Sequence, residues 1–234
     1  MPNTPLRIVR AADRFRGGDP DAGIDTRHAF SFGAHYDPDN LRWGQLTACN
    51  EERLAPGAGF PTHPHRDVEI VSWVVEGELT HEDDTGARTV VRAGDLQRLT
   101  AGSGVRHSER NEGAGPLRFT QMWLVPDEPG GEPEYEVVRG LAPDTEYALP
   151  RTAASLRLLR VRAGTLAPLP PLPAGEGAGL RHLQLVRGSG ELVGPERWEV
   201  GAGDSVRVGR GAGELTLRAG DDAPVAALLW SLRD

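Results

Sequence analysis

Lysine is absent from this chain of 234 residues, and cysteine occurs once, at Cys49. The basic residues are therefore all arginines, 26 of them, and 34 acidic residues outnumber them to give a net charge of −8. A net-negative chain without a basic cluster is poorly suited to phosphate backbones, so we expect no direct binding to nucleic acid. A single cysteine excludes an intramolecular disulfide and is typical of a reducing compartment.

Long apolar runs are also missing. The longest, at 225–230, has six residues, whereas a helix that crosses a bilayer needs about 20, so we expect no membrane contact. The N-terminal segment has no apolar stretch of the kind that a secretory signal requires. Together with the single cysteine, these absences predict a cytoplasmic protein.

Turn-forming residues are abundant, with 30 glycines and 19 prolines, and this argues against a helix bundle. Several short segments alternate apolar and polar residues or run apolar for a few positions between Gly, Pro, Asp or Asn, which is typical of strands joined by turns. No segment keeps a helical period over three turns. The pattern predicts an all-β fold, a sandwich or a barrel. The segments are 69–75, 88–92, 117–125, 156–161, 180–186, 214–217 and 223–230.

An internal repeat indicates how these strands are organised. The tripeptide GEL at 77–79 is followed by AGD at 93–95, and the same pair recurs at 190–192 and 202–204. Two copies of one strand–hairpin–strand unit predict two stacked β-barrels. We place the domain boundary between them, with one domain at 1–135 and the other at 136–234.

The residues that carry chemistry lie in the first copy. His63 and His65 are two positions apart, as are His107 and Glu109, and residues two apart on a strand point to the same face. Two such strands facing across a barrel would bring the four side chains to one divalent ion. Imidazole with carboxylate suits Fe(II), Mn, Ni, Cu or Zn and does not suit a thiolate site. Glu69 is an alternative to Glu109 as a ligand, or a partner outside the ligand shell.

Other histidines and nearby apolar residues have simpler interpretations. His28, His35, His81 and His182 are expected to be surface histidines. Val71 and Trp73 are expected to lie in the barrel core, with the alternative that they line a slot for a flat ring.

Two motifs resemble a known family. The sequence THPHR at 62–66, together with TAGSGVRHSE at 100–109, resembles the pirin family of the cupin superfamily. HAFSF at 28–32 and YDP at 36–38 are similar to bacterial pirin-like proteins assayed as quercetin dioxygenases. The specific likeness covers 28–125. Gly102 stands where generic cupins have proline, as is usual in pirins.

The resemblance implies a bicupin, two stacked cupin (jelly-roll) barrels with one metal ion, usually taken as Fe(II), in the N-terminal barrel. It implies the ligands His63, His65, His107 and Glu109 and so favours Glu109 over Glu69. The corresponding positions in the second copy do not form a ligand set, so we expect a metal-free C-terminal barrel. Those positions are Glu176, Ala178, His182, Thr216 and Arg218.

The resemblance also implies a function. We expect a metal-dependent dioxygenase in which a deprotonated hydroxyl of quercetin, or of a similar aromatic, binds the metal. O₂ then opens the heterocycle with loss of carbon monoxide, and Glu109 is the catalytic proton acceptor. One alternative is a non-enzymatic regulator that binds a protein partner according to the redox state of its metal. Another is a metal-dependent isomerase of sugars or keto acids. We expect a monomer.

Overall fold

The structure is a computed structural model that describes residues 6–171 and 178–233; Glu176 therefore lies outside the described residues. Within those ranges the chain forms strands, and its one helical element is a single 3-10 turn at Ala11–Asp13. No helix in the described ranges has the length and apolar character needed to cross a membrane. The predicted all-β class is confirmed. The strands are β1 (Leu6–Val9), β2 (Phe15–Asp19), β3 (Ile24–His28), β4 (Leu46–Leu54), β5 (Gly59–His65), β6 (Glu69–Glu76), β7 (Glu78–Asp83), β8 (Arg88–Arg92), β9 (Leu96–Thr100), β10 (Val105–Arg110), β11 (Leu117–Leu124), β12 (Glu134–Val138), β13 (Glu146–Ala148), β14 (Ser155–Val161), β15 (Leu166–Pro168), β16 (Ala178–Arg187), β17 (Ser189–Val193), β18 (Arg197–Gly201), β19 (Ser205–Val208), β20 (Thr216–Ala219) and β21 (Val225–Arg233).

The described residues form two compact units. The N-terminal unit contains 15–42 and 46–141, and the C-terminal unit contains 6–14, 43–45, 142–171 and 178–233. The first strand belongs to the C-terminal unit because β1 pairs with β19, with Leu6 opposite Val208. The division of the chain into domains 1–135 and 136–234 stays a prediction. The structure shows in addition that β1 pairs with a strand of the C-terminal unit.

The N-terminal unit consists of two antiparallel sheets. One has seven strands in the order β12-β9-β6-β11-β4-β3-β2, and the other has four in the order β5-β10-β7-β8. Apolar side chains from both sheets pack into one core, including Leu54 of β4, Leu79 of β7 and Phe119 of β11. Because each sheet turns alternate side chains to that core, the sheets form a jelly-roll sandwich.

The C-terminal unit repeats this topology. Its sheets have the orders β1-β19-β16-β21-β14-β13 and β15-β20-β17-β18, so β19-β16-β21-β14 corresponds to β9-β6-β11-β4. It has a separate core that includes Leu183, Leu217 and Leu229. The repeated AGD turns have matching hydrogen bonds, from the Gly94 amide to the Val74 carbonyl at 2.8 Å and from the Gly203 amide to the Leu185 carbonyl at 2.9 Å. The internal repeat is thus a structural one.

Candidate metal centre and its cavity

Two neighbouring strands bring three histidines together. β5 and β10 are antiparallel, with His107 directly opposite His63 and Val105 opposite His65. The ring centroids of His63 lie 4.7 Å from those of both His65 and His107, and the His65 and His107 centroids are 5.0 Å apart. One ring nitrogen from each of the three lies within 4.8 Å of the others, a spacing that one shared ion could bridge.

Hydrogen bonding and burial within this histidine group suit metal binding. Nδ1 of His63 lies 2.8 Å from the Pro61 carbonyl, so it carries the hydrogen and leaves Nε2 with a lone pair. Nε2 of His107 is buried and has no hydrogen-bond partner within the described residues. Burial lowers the pKa of His65 to about 4, and burial with neighbouring imidazoles lowers that of His107 to about 2. Both rings are therefore neutral at pH 7, and the residues fit a late first-row divalent ion.

Glu109 lies beside this group, buried at 1 % exposure. Its Oε1 accepts from Gln97 Nε2 at 2.5 Å and its Oε2 from Gln121 Nε2 at 2.7 Å. Burial raises the pKa of Glu109 to about 7, and the two amide hydrogen bonds oppose that rise. The structure groups its carboxylate with His81 and His107 within 4.8 Å, not with His63 and His65. The complete four-residue ligand set stays a prediction.

Glu69, the alternative carboxylate, is held elsewhere. It begins β6 in the seven-stranded sheet, and its Oε2 accepts a hydrogen bond from Thr100 Oγ1 at 2.8 Å. Neither group of candidate ligand atoms found in residues 6–171 and 178–233 includes it. The geometry therefore favours Glu109 over Glu69.

The expectation of four surface histidines is wrong for three of them. His28, His81 and His182 are buried, and only His35 is half-buried. His28 Nδ1 lies 3.0 Å from Asn50 Oδ1, and His81 stacks on Tyr135 with centroids 4.2 Å apart. The sequence of β7 could have predicted that His81 is buried, since His81 is two positions from Leu79 and shares its inward face.

A cavity of about 430 Å³ opens beside the histidines. Its aromatic lining comes from Phe32, Phe60 and Trp123, and its polar lining includes the side chains described below. Trp123 contacts Phe32 and His65 edge-on, with centroids 5.1 Å apart in each pair. Val71 and Trp73 are buried core residues, as the simpler interpretation predicted, and the lining of this cavity does not include them.

Polar residues on β3 and β4 form one wall of the cavity. Thr26 lies opposite Glu52 and His28 lies opposite Asn50. The Thr26 hydroxyl donates to Glu52 Oε2 at 2.5 Å. Burial raises the pKa of Glu52 to about 8, so this carboxyl group is protonated at neutral pH and is able to donate a hydrogen bond into the cavity.

The fold and the site define an all-β protein of the cupin class, built from two jelly-roll units with a candidate metal centre in the N-terminal one. The family model described as Pirin matches residues 9–124. A protein of Mycobacterium tuberculosis that is provisionally named a quercetin 2,3-dioxygenase is 36% identical over 97% of this chain and 95% of its own length. The chain belongs to the pirin family.

Two further comparisons concern Escherichia coli. A protein named quercetin 2,3-dioxygenase is 40% identical over 122 residues, which cover 52% of this chain and 53% of that relative. The crystal structure of the bacterial pirin YhhW in complex with nickel(II) matches with a TM-score of 0.84 at 27% identity and covers 97% of this chain and 99% of that one. The predicted membership of the pirin family is confirmed.

Proposed function

We propose that this protein is a metal-dependent dioxygenase that opens quercetin or a similar flavonol with O₂. The observation that carries the proposal is the convergence of three imidazoles beside a cavity of about 430 Å³ that His63 and His65 line, a volume within the usual range for small-molecule sites. The names of the relatives from M. tuberculosis and E. coli support the same activity. The proposed ligands are His63, His65, His107 and Glu109.

The proposed cofactor is a single divalent ion, with Fe(II) preferred. The same nitrogen and oxygen donors suit Mn, Ni, Cu and Zn, and the related bacterial pirin was crystallised with nickel(II). Once bound, the ion would supply Lewis-acid activation of a substrate oxygen and a path for electrons to O₂. Elemental analysis of freshly purified protein would identify the ion.

The cavity lining suits a flat aromatic substrate with several oxygens. Phe32 and Trp123 offer aromatic surface against which a flavonol ring can pack. The protonated carboxyl of Glu52 is placed to donate to a substrate carbonyl or hydroxyl oxygen, beside the amide of Asn50. These contacts would orient the ring and exclude water from the reacting edge.

Glu109 is the proposed proton acceptor. A flavonol hydroxyl must lose its proton before the ring opens, and a general base must lie within hydrogen-bond reach of that hydroxyl. The Glu109 carboxyl lines the cavity, and Gln97 and Gln121 hold one oxygen each. In the proposed reaction the proton moves to a Glu109 oxygen, and one O₂ enters the products for each carbon monoxide released.

The test is turnover of quercetin by protein loaded with Fe(II). Loss of quercetin absorbance under air, release of carbon monoxide and no loss in an anaerobic sample would support the proposal. A rate no greater than that of the His107→Ala variant would reject it. Conversion of a sugar or keto acid without oxygen would instead favour an isomerase.

A further inference from the structure

A fourth histidine touches the proposed metal centre from outside. His81 lies on β7, the other neighbour of β10, directly opposite Glu109 in the strand register. Its Nδ1 is 3.2 Å from Nδ1 of His107, a hydrogen-bond distance. Both rings are 1 % exposed, so water does not compete for this contact.

Metal binding would decide the direction of this hydrogen bond. Two facing Nδ1 atoms share one hydrogen, and either ring can hold it while His107 is free to choose its tautomer. Once Nε2 of His107 gives its lone pair to an ion, the hydrogen of that ring must sit on Nδ1. His81 Nδ1 then has to accept, and the hydrogen of His81 moves to Nε2. No hydrogen bond within the described residues opposes this, because His81 Nε2 has no partner there.

We propose that His81 is a positioning residue of the metal centre, whose Nδ1 accepts from His107 Nδ1–H and so aims His107 Nε2 at the ion. The inference rests on the proposed metal site but does not depend on the substrate. A partner of this kind fixes the ring orientation and tautomer of a ligand histidine and increases its basicity.

Tyr135 links His81 to Glu109, the second residue that β10 contributes to the proposed metal centre. Its ring stacks on His81 at an interplanar angle of 17°, which restricts rotation of the imidazole. Its hydroxyl donates to Gln97 Oε1 at 2.9 Å, and Gln97 donates to Glu109. The side chains of His81, Tyr135 and Gln97 thus support both His107 and Glu109.

A matched pair of variants separates acceptance of a hydrogen bond from simple packing. Asn and Leu have similar sizes, but the Asn side-chain oxygen can replace the Nδ1 acceptor whereas Leu offers none. With Zn(II) as the probe, measured by competition with a chromophoric chelator, His81→Leu should bind about 10- to 100-fold more weakly than the wild type. His81→Asn should recover most of that loss. Glu82→Gln, on the exposed face of the same strand, should bind Zn(II) like the wild type.

Nitrogen–proton correlation spectra of the Zn(II)-loaded wild type provide a readout without substitution. The expected tautomers are Nδ1–H for His107 and Nε2–H for His81. The opposite tautomer at His81, or unchanged Zn(II) affinity in His81→Leu, would overturn the proposal. Equal losses in the Asn and Leu variants would also overturn it, since a hydrogen-bond acceptor at this position would then make no difference to Zn(II) binding. Failure of quercetin turnover would reject the dioxygenase and leave these Zn(II) results standing.

Discussion

His63 and His107 are direct partners across β5 and β10, with ring centroids 4.7 Å apart. The register of the two strands shifts just beyond this pair, so that Glu109 lies opposite Phe60. A β-bulge of this kind bends a strand and changes the direction of its side chains. The direct pairing of His63 with His107, on the other side of this bulge, brings side chains of both strands within reach of one ion.

Replacement of His107 should remove the metal. His107→Ala deletes the ring nitrogen that the other two histidines face, and loss of a ligand should lower affinity by more than the roughly 10- to 100-fold that follows the loss of an outer partner. The metal content of purified protein and Zn(II) titration would measure the effect. His35→Ala, which changes a histidine outside both ligand groups, should retain the ion. Full metal content in the His107 variant would contradict the proposed site.

Glu52→Gln should change how stability depends on pH. Burial raises the pKa of Glu52 from 4.5 to about 8, helped by the nearby charges of Glu109 and Asp25. Between these values the folded protein keeps a proton that the unfolded chain releases. The free energy of unfolding therefore falls as pH rises across this window, by up to about 1.4 kcal/mol per pH unit from this group.

The Gln variant has no such proton, so its free energy of unfolding should fall less than that of the wild type as pH rises from 5 to 8. The difference between the two proteins should accumulate across this pH window. Urea unfolding of the metal-free proteins at several pH values would measure this. Glu82→Gln, at an exposed position, serves as the control. Parallel pH curves for the wild type and the Glu52 variant would show that Glu52 is ionised in the folded protein.

Gln121→Leu should weaken the support of Glu109. The Gln121 amide donates to Glu109 Oε2 at 2.7 Å and accepts from Trp123 Nε1 at 3.0 Å. Leaving buried polar partners without a hydrogen bond costs about 1–3 kcal/mol, so the free energy of unfolding should fall by that order. Chemical denaturation would measure it, and Zn(II) affinity should fall as well. Thr47→Val, which removes a bond to a backbone carbonyl, should leave Zn(II) affinity unchanged; an equal affinity loss there would contradict the assignment.

Phe32→Ala should weaken binding of a flavonol. The variant removes one aromatic surface of the cavity, and an aromatic pair contributes about 0.5–1.5 kcal/mol beyond its buried area. This corresponds to a rise in KM of about 2- to 13-fold with a smaller change in kcat. Tyr36→Ala, on the same segment but exposed at 76 %, is the matched control. Unchanged KM in the Phe32 variant would place the substrate elsewhere.

Much of the fold was predictable because strand periodicity and turn residues are local properties. The repeated GEL and AGD tripeptides indicated two related units, and the sheets have matching strand orders. The pairing of β1 with β19 was not predictable. This pairing joins residues from opposite ends of the chain, and no local pattern in Leu6–Val9 indicates which strand β1 pairs with.

The sequence alone indicated the candidate ligands, because residues two positions apart share a strand face. This spacing holds for His63 and His65 and again for His107 and Glu109. Only the tertiary structure decided what surrounds them. Strand pairing placed His81 against His107 and set Glu52 in the cavity wall. Burial there changes which groups are charged, since desolvation depends on all the strands that close around a side chain and not on its neighbours in the chain.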